Sequence, residues 1–398
     1  MAAREIAPDI FSVGALDFNR RLFDALIPLP QGTSYNAYLV KGKKKTALID
    51  TVDPTREMDL VTNLVKARVD TIDYLIVNHA EQDHSGSLPM IAELFPQARV
   101  VVNEKCLDLV LHLLDIRKER CMVIKDRETL ELGGKTLEFL ITPWVHWPET
   151  MVTYAREDRV LFSCDFFGSH LAESTLQVVE WNQVYHAAKR YYAEIMMPFR
   201  SSVRENLEKV GALDIAMVAP SHGPVYTRPG LIMDAYRDWT SDQVKNEDVI
   251  PYVSMHGSTE KMVDHLTEAL IERGIRVLPF NLVVTDIGEL AMALVDAATV
   301  VIGTPTLIFG PHPEALYATY LANLLRPKTR FISVIGSYGW GGKTVDTLKE
   351  MLTKIQPELL DPVYIKGAPG VKDLRELDRL ADTIASKHRE IGILSPSG

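Results

Sequence analysis

The sequence predicts an α/β protein in two parts, a sandwich of two sheets covered by helices followed by a doubly wound parallel sheet of five strands. Three observations lead there. The 398 residues exceed what one hydrophobic core usually supports, so two domains are expected. Over 1–248, short apolar runs read as hairpins mixed with helices, the pattern of packed mixed sheets. Over 249–398, apolar runs alternate regularly with helical stripes, the pattern of a parallel sheet wound on both faces. The boundary falls at 248, where the polar and charged stretch 239–248 gives way to Val249-Ile250-Pro251-Tyr252-Val253.

Hydrophobic residues make up 46% and charged residues 24%, an ordinary globular balance. A net charge of -10 without a long basic run argues against a nucleic-acid backbone or an anionic membrane as the main partner. The first nine residues lack the apolar run of a signal peptide. The longest uncharged window, 297–313, is too short and too broken by glycine and proline to span a bilayer. A cytoplasmic location is expected. Cys106, Cys121 and Cys164 form no CxxC pair; they suit a reducing compartment as small buried residues and supply no cysteine-ligated zinc or iron module.

In the first part, 35–40 and 46–50 flank a basic turn and read as a hairpin, 55–67 carries a helical stripe of Met58, Val61, Leu64 and Val65, and 74–78 is a strand. Strands at 99–103, 121–124, 137–142, 151–154, 160–163 and 215–219 follow, with a helix at 105–114. The strand at 74–78 runs into His79-Ala80-Glu81-Gln82-Asp83-His84, four potential metal ligands in six residues. Alternate positions on such an exit can turn toward one point. Later strand exits add His146, flanked by Trp144 and Trp147, then Asp165 beside Phe166 and Phe167, then His222 within Ser221-His222-Gly223. A carboxylate such as Asp165 among apolar neighbours needs a metal or a cation as partner. Seven candidates are too many for one tetrahedral ion and suit two ions that share a carboxylate. Asp165 is the expected bridge, with His79, Glu81 and His146 on one ion and Asp83, His84 and His222 on the other. His84 has a second role open to it, as a donor that orients another ligand.

This arrangement resembles the metallo-β-lactamase fold, whose usual motif is HxHxDH with further His, Asp and His on later strands. The departure is Glu81, where the hydrolytic zinc members carry histidine. A carboxylate makes the site harder and more anionic, which favours iron over zinc.

In the second part, strands at 250–254, 276–282, 299–303, 331–336 and 362–366 alternate with helices at 259–273, 288–296, 313–325, 343–355 and 371–391. The first strand exit, Ser254-Met255-His256-Gly257-Ser258-Thr259, enters a helix at once. Hydroxyls, a glycine and free amides at a helix start make a phosphate cradle. This part resembles the flavodoxin family, whose other two loops are matched by Pro305-Thr306-Leu307, leading to Ile308, and by Ser337-Tyr338-Gly339-Trp340-Gly341. Tyr338 and Trp340 are the expected flanks of an isoalloxazine ring. Gly342-Lys343-Thr344 looks like the end of a P-loop, but Ser337 stands where the earlier glycine is required. His312 reads as a helix start.

Together the two parts resemble the flavodiiron proteins over essentially the whole chain, on Gly32-Thr33-Ser34-Tyr35-Asn36, the HxExDH stretch, His146-Trp147-Pro148, Phe166-Phe167-Gly168-Ser169-His170, Ser221-His222-Gly223 and Ser337-Tyr338-Gly339-Trp340-Gly341-Gly342. The resemblance implies a nonhaem diiron site fed by FMN, and reduction of dioxygen to water, of nitric oxide to nitrous oxide, or of both. It implies a head-to-tail homodimer or a dimer of dimers, in which the flavin of one chain lies beside the irons of the other. No rubredoxin follows the second part, so an external donor is expected, a separate rubredoxin or a reduced deazaflavin. Substrate preference is expected to depend on the surroundings of Tyr192, Phe166 and His170. Ile308-Phe309 departs from the family, which commonly has asparagines there, and removes side-chain donors near the flavin. His256 is a titratable group beside the phosphate. The alternative from another class is a dinuclear zinc hydrolase with a flavodoxin-like appendage, which Glu81 and the flavin loops disfavour. A flavoprotein electron carrier with a structural metal domain is a third reading, and it would keep its activity after Asp83→Ala or His222→Ala.

Overall fold

The computed structural model describes residues 3–395, so the outermost residues of both expected parts lie outside it. The chain divides into two compact units between Thr240 and Ser241. The strand Lys245–Tyr252 runs through the boundary expected at 248. Two of its charged residues form ion pairs, Lys245 with Asp296 at 2.9 Å and Glu247 with Arg276 at 2.7 Å, and the third, Asp248, is buried without a hydrogen-bond partner.

The first unit is a sandwich. Its seven-stranded sheet runs in chain order through Arg4–Ala7, Ile10–Ser12, Tyr38–Lys41, Thr46–Ile49, Tyr74–Ile76, Arg99–Asn103 and Cys121–Ile124. The first four strands pair antiparallel and the rest parallel. The opening hairpin at Arg4–Ser12 turns on Pro8-Asp9, a dipeptide suited to a tight turn. Alternation along the strands sends Leu39, Leu48, Leu75 and Val100 toward helices Glu57–Lys66, Leu88–Leu94 and Glu104–Leu113, and Tyr38, Val40, Ala47, Ile49 and Val101 toward the second sheet. That sheet consists of Thr129–Glu131, Thr136–Ile141, Met151–Ala155, Val160–Cys164 and Met217–Pro220, the last pair parallel. Leu137, Phe139, Met151 and Phe162 complete the core between the sheets.

The second unit is a parallel sheet in the order Arg276–Asn281, Lys245–Tyr252, Ala297–Gly303, Phe331–Tyr338, then an edge. The edge is not one strand. Glu358–Leu359 and Val363–Lys366 both pair parallel with Phe331–Tyr338, so five positions hold six strands. Asp361-Pro362 separates the two pieces, and proline has no amide to give the ladder. Helices cover both faces, Ser258–Glu272 and Val371–Glu390 on one, Ile287–Leu294, Pro313–Leu325 and Thr344–Met351 on the other. The helix expected over 343–355 stops at Met351, because the Asn323 side chain accepts the Lys354 amide at 2.8 Å and draws the chain out of the helix. Among the described residues, no helix is long and apolar enough to cross a membrane.

Candidate metal centre

The seven candidate ligands meet at one edge of the sandwich. After the strand Tyr74–Ile76 the chain is pinned before it reaches His79: the Asn78 amide and side chain both donate to the buried Asp50 carboxylate, at 2.8 and 3.0 Å, and Thr153 of the other sheet donates to Asn78 Oδ1 at 2.8 Å. A short helix, Gln82–Ser85, then turns Asp83 and His84 inward. Ser85 closes that turn by donating to Ala80 O at 2.6 Å. His146, Asp165 and His222 follow the ends of Thr136–Ile141, Val160–Cys164 and Met217–Pro220. Beside His222, Gly223 has φ +84°, and a Cβ there would collide with Ser169 Oγ.

The ligand atoms fall into two sets around Asp165. Its Oδ2 lies 3.5 Å from His79 Nε2 and 3.4 Å from His146 Nε2, and Glu81 Oε2 is 3.0 and 3.2 Å from the same nitrogens. Its Oδ1 lies 2.9 Å from His84 Nε2 and 3.4 Å from His222 Nε2, and Asp83 stands 3.3 and 3.1 Å from those rings. His84 therefore sits among the ligand atoms. Five of the seven are buried, while Glu81 and His146 keep about 14% of their side chains exposed and form the open side.

Burial alone would lower the imidazole pKa values, but the facing carboxylates outweigh it and raise His79 and His146 to about 10 and His84 to about 9. Burial works against the charged forms of Glu81 and Asp165, and the imidazoles overcome it, holding both carboxyls well below their usual range. Yet both oxygens of Asp83, both of Asp165 and both nitrogens of His84 are buried without a partner in hydrogen-bonding geometry. Groups so placed are costly unless a cation lies between them. The residues present therefore fit a pair of metal ions.

Residues outside the ligand set orient it. The Glu149 carboxylate accepts from His79 Nδ1 at 2.6 Å, and the Ser34 carbonyl accepts from His222 Nδ1 at 2.6 Å, so both rings present Nε2 to the site. Glu149 carries no ligand spacing, and its only signal in the sequence is a carboxylate two residues beyond Trp147 in the His146 loop. Ser34 lies in the stretch 32–36. His170 packs on His222 with centroids 4.8 Å apart and lies 2.9 Å from Thr33 Oγ1. Burial, reinforced by His222, holds its pKa well below the ordinary value, so it is neutral. Tyr192 does not face the site; its hydroxyl donates to Trp239 O at 3.2 Å, within a cluster that includes Tyr236. The neighbour that does is Tyr191, whose ring packs on His170 at 4.9 Å and His222 at 5.8 Å. Burial, then Asp165 and Asp83, push its phenol pKa well up. Phe166 stacks on Phe167 at 4.0 Å and packs against Tyr236. Cys106 and Cys164 are buried and Cys121 is half-buried.

In the second unit, a cleft of about 220 Å³ opens at the carboxyl ends of the strands, lined by Ser254, Met255, His256, Ser258, Thr259, Pro305, Thr306, Ser337, Tyr338 and Gly339. Gly367 and Ala368, from the loop after Val363–Lys366, complete it and were not expected from the sequence. Gly257 caps the helix Ser258–Glu272 in a left-handed conformation, φ 82°, so the first amides of that helix face the cleft. His256 is exposed at this end. Gly257, Leu307, Ile308, Trp340 and Gly341 are not among the lining residues; Ile308 and Trp340 are exposed. His312 caps the helix Pro313–Leu325, its Nδ1 accepting from the Glu314 amide at 3.2 Å.

A sandwich that gathers paired ligand sets at one edge, joined to a nucleotide-cradling parallel sheet, defines a β-lactamase-like dinuclear-metal protein with a flavodoxin-like second unit. Residues 33–223 match the model of the ODP family beta lactamase. The chain is 35% identical to a nitric oxide reductase of Moorella thermoacetica, covering 96% of this chain and 98% of that protein. It is 32% identical to a flavo-diiron protein of Clostridium acetobutylicum, over 94% and 97% of the two chains. Among solved structures, the rubredoxin oxygen:oxidoreductase of Desulfovibrio gigas superposes with a TM-score of 0.92 at 31% identity, covering 98% and 99%. The chain belongs to the flavodiiron family.

Proposed function

We propose that the protein is a flavodiiron oxidoreductase that reduces dioxygen to water, nitric oxide to nitrous oxide, or both. His79, Glu81 and His146 would hold one iron and Asp83, His84 and His222 the other, with Asp165 contributing between the two sets. The cleft of the second unit would hold FMN, with the amides of Ser258 and Thr259 at the helix start as the donors for its phosphate. When bound, the irons and the flavin supply the electrons and the Lewis-acid sites that either reduction requires. The chain's own residues do the rest. Glu149 and the Ser34 carbonyl fix the tautomers of His79 and His222, the neutral His170 closes the wall behind His222, and Glu81 with His146 leaves the side by which a small gas approaches.

The observation that carries this reading is the convergence of Asp165 and Asp83 on His84, whose Nε2 lies 2.9 Å from the first and 3.3 Å from the second, all three buried without hydrogen-bonding geometry. Metal and flavin analysis of the purified chain tests it. Two irons and one FMN per chain are expected; zinc without iron, persisting after anaerobic reconstitution with iron, overturns it in favour of a hydrolase. Electrons come from a separate protein or cofactor, a rubredoxin or a reduced deazaflavin, and the name of the Desulfovibrio relative supports the former.

The working form is a head-to-tail homodimer in which the flavin of one chain serves the irons of the other. Mixing inactive Asp165→Ala chains with inactive Gly257→Asp chains is expected to restore activity. Verified heterodimers that stay inactive sink cross-chain transfer.

A further inference from the structure

Among the described residues, the lining of the cleft in the second unit includes no lysine and no arginine. A phosphate monoester nevertheless brings about −1.5 to −2 charge at pH 7, its second pKa lying near 6. Part of the hydroxyl lining is already engaged. Ser254 Oγ accepts from the Glu260 amide at 3.2 Å, and the Thr306 hydroxyl lies 2.8 Å from those of Thr344 and Tyr364. Lys261 is the residue whose amide opens the helix ladder, donating to Gly257 O at 3.0 Å, so the Ser258 and Thr259 amides stand ahead of it. A helix start presents the equivalent of only about half a positive charge. Glu260, in the first turn, adds a negative one. Amides thus direct the phosphate oxygens to this end of the cleft and leave most of their charge unmatched.

His256 is the lining side chain able to match it. It immediately precedes Gly257, the left-handed residue that starts the helix, and it is exposed at the same end as Ser258 and Thr259. Tyr338, the other titratable side chain of the lining, has no cationic form. The charged groups of the surrounding elements stand outside the lining. Glu260, Lys261 and Asp264 lie on the helix that His256 precedes, Lys343 precedes the helix Thr344–Met351, and Lys366 ends the strand before Gly367. At the start of the last helix, Lys372 is exposed and Asp373 accepts from the Gly370 amide at 2.9 Å.

We propose that the His256 imidazolium is the cation of the phosphate site, so that binding of FMN takes up a proton at this residue and the cofactor is held more tightly as pH falls. The proposal rests on the FMN reading above and adds a regulation to it. Histidine changes its charge between about pH 5 and 8. The phosphate favours the charged imidazole, so the side chain keeps its proton to a higher pH in the complex than in the flavin-free protein. Affinity is fullest where the imidazole is charged before FMN arrives, and it declines as pH rises until the imidazole is neutral in the complex as well. Below about pH 6 the phosphate itself gains a proton, so the effect is read above that value.

The test measures the dissociation constant of oxidised FMN on the full-length chain freed of flavin, by quenching of flavin fluorescence from about pH 6 to about pH 8.5 at constant ionic strength. The parent is expected to bind about fivefold more weakly at the upper end than at the lower. His256→Gln, polar but uncharged, is expected to bind across the whole window as weakly as the parent does at its upper end. His256→Lys, charged throughout, is expected to bind as tightly as the parent does at its lower end. Riboflavin, which has no phosphate, is expected to bind the parent and His256→Gln alike; weaker riboflavin binding by the variant places the imidazole on the flavin ring and overturns the proposal. A parent with equal affinity at both ends, or a His256→Gln chain that keeps the parent's slope, overturns it as well and leaves the cofactor assignment standing. A parent that takes up no FMN at any pH overturns the flavin reading with it, a result visible before any variant is compared.

Discussion

Glu149 supports the metal centre without being one of its ligands. Fully buried, it accepts from His79 Nδ1 and, at 3.2 Å, from the Ala80 amide, and so aims the first ligand of the chain. Loss of such an orienting carboxylate typically costs 10–100-fold in metal affinity. Glu149→Ala is therefore expected to weaken iron retention by about that factor, read by competition with a chelator, while Glu149→Gln, which can still accept from Nδ1–H, loses less. Equal retention in parent and Glu149→Ala would show that the ring is held by packing against Trp147, 5.0 Å away. The ligands themselves were legible because imidazoles and carboxylates at strand exits have few other uses. Tyr191 was not. The helix Trp181–Tyr191 passes into a π-helical turn at Tyr192–Met196, which shifts the register, so periodicity cannot say which of two adjacent tyrosines turns inward.

At the level of elements, the sandwich strands and the helices of the second unit could be read because their apolar periods are clean. The split edge at Asp361-Pro362 and the short helix Thr344–Met351 escaped that reading because a missing amide and a side chain from another helix decide them. The last helix, Val371–Glu390, carries a further polar group inward. His388 is fully buried, with Nδ1 2.7 Å from Asn246 Oδ1 and Nε2 2.7 Å from Thr299 Oγ1, and burial lowers its pKa to about 4. An unfolded histidine titrates near 6.5, so between these values the unfolded chain binds the extra proton. This helix contributes its full stability above about pH 6.5 and loses roughly 2–4 kcal/mol as pH falls toward 4. Denaturant unfolding of the second unit across that window is expected to show the loss, and His388→Gln is expected to flatten it. A parallel decline in the variant would place the titrating group elsewhere.

For the whole molecule, two compact units with separate cores imply separate responses to their ligands. A ligand that binds only the folded state stabilises it in proportion to the logarithm of its concentration over its dissociation constant. Chelation of iron is expected to lower the melting transition of the first unit and leave that of the second in place, and removal of FMN to do the reverse; differential scanning calorimetry distinguishes them. A single transition that moves as one under either treatment would contradict this independence.

The spread of the ligands along the chain bears on how the centre is assembled in time. Asp83 and His222 share one ligand set, and the His222 ring is locked to the carbonyl of Ser34, 188 residues earlier. A ribosome adding about 5–20 residues per second takes on the order of ten seconds to travel from Asp83 to His222. Throughout that interval the nascent chain displays the 79–84 stretch without the strand that completes its second ion site. On the proposed ligand assignment, metal insertion belongs after translation of the first unit, and a chain stopped before Met217 is expected to emerge without metal at the Asp83, His84 and His222 set.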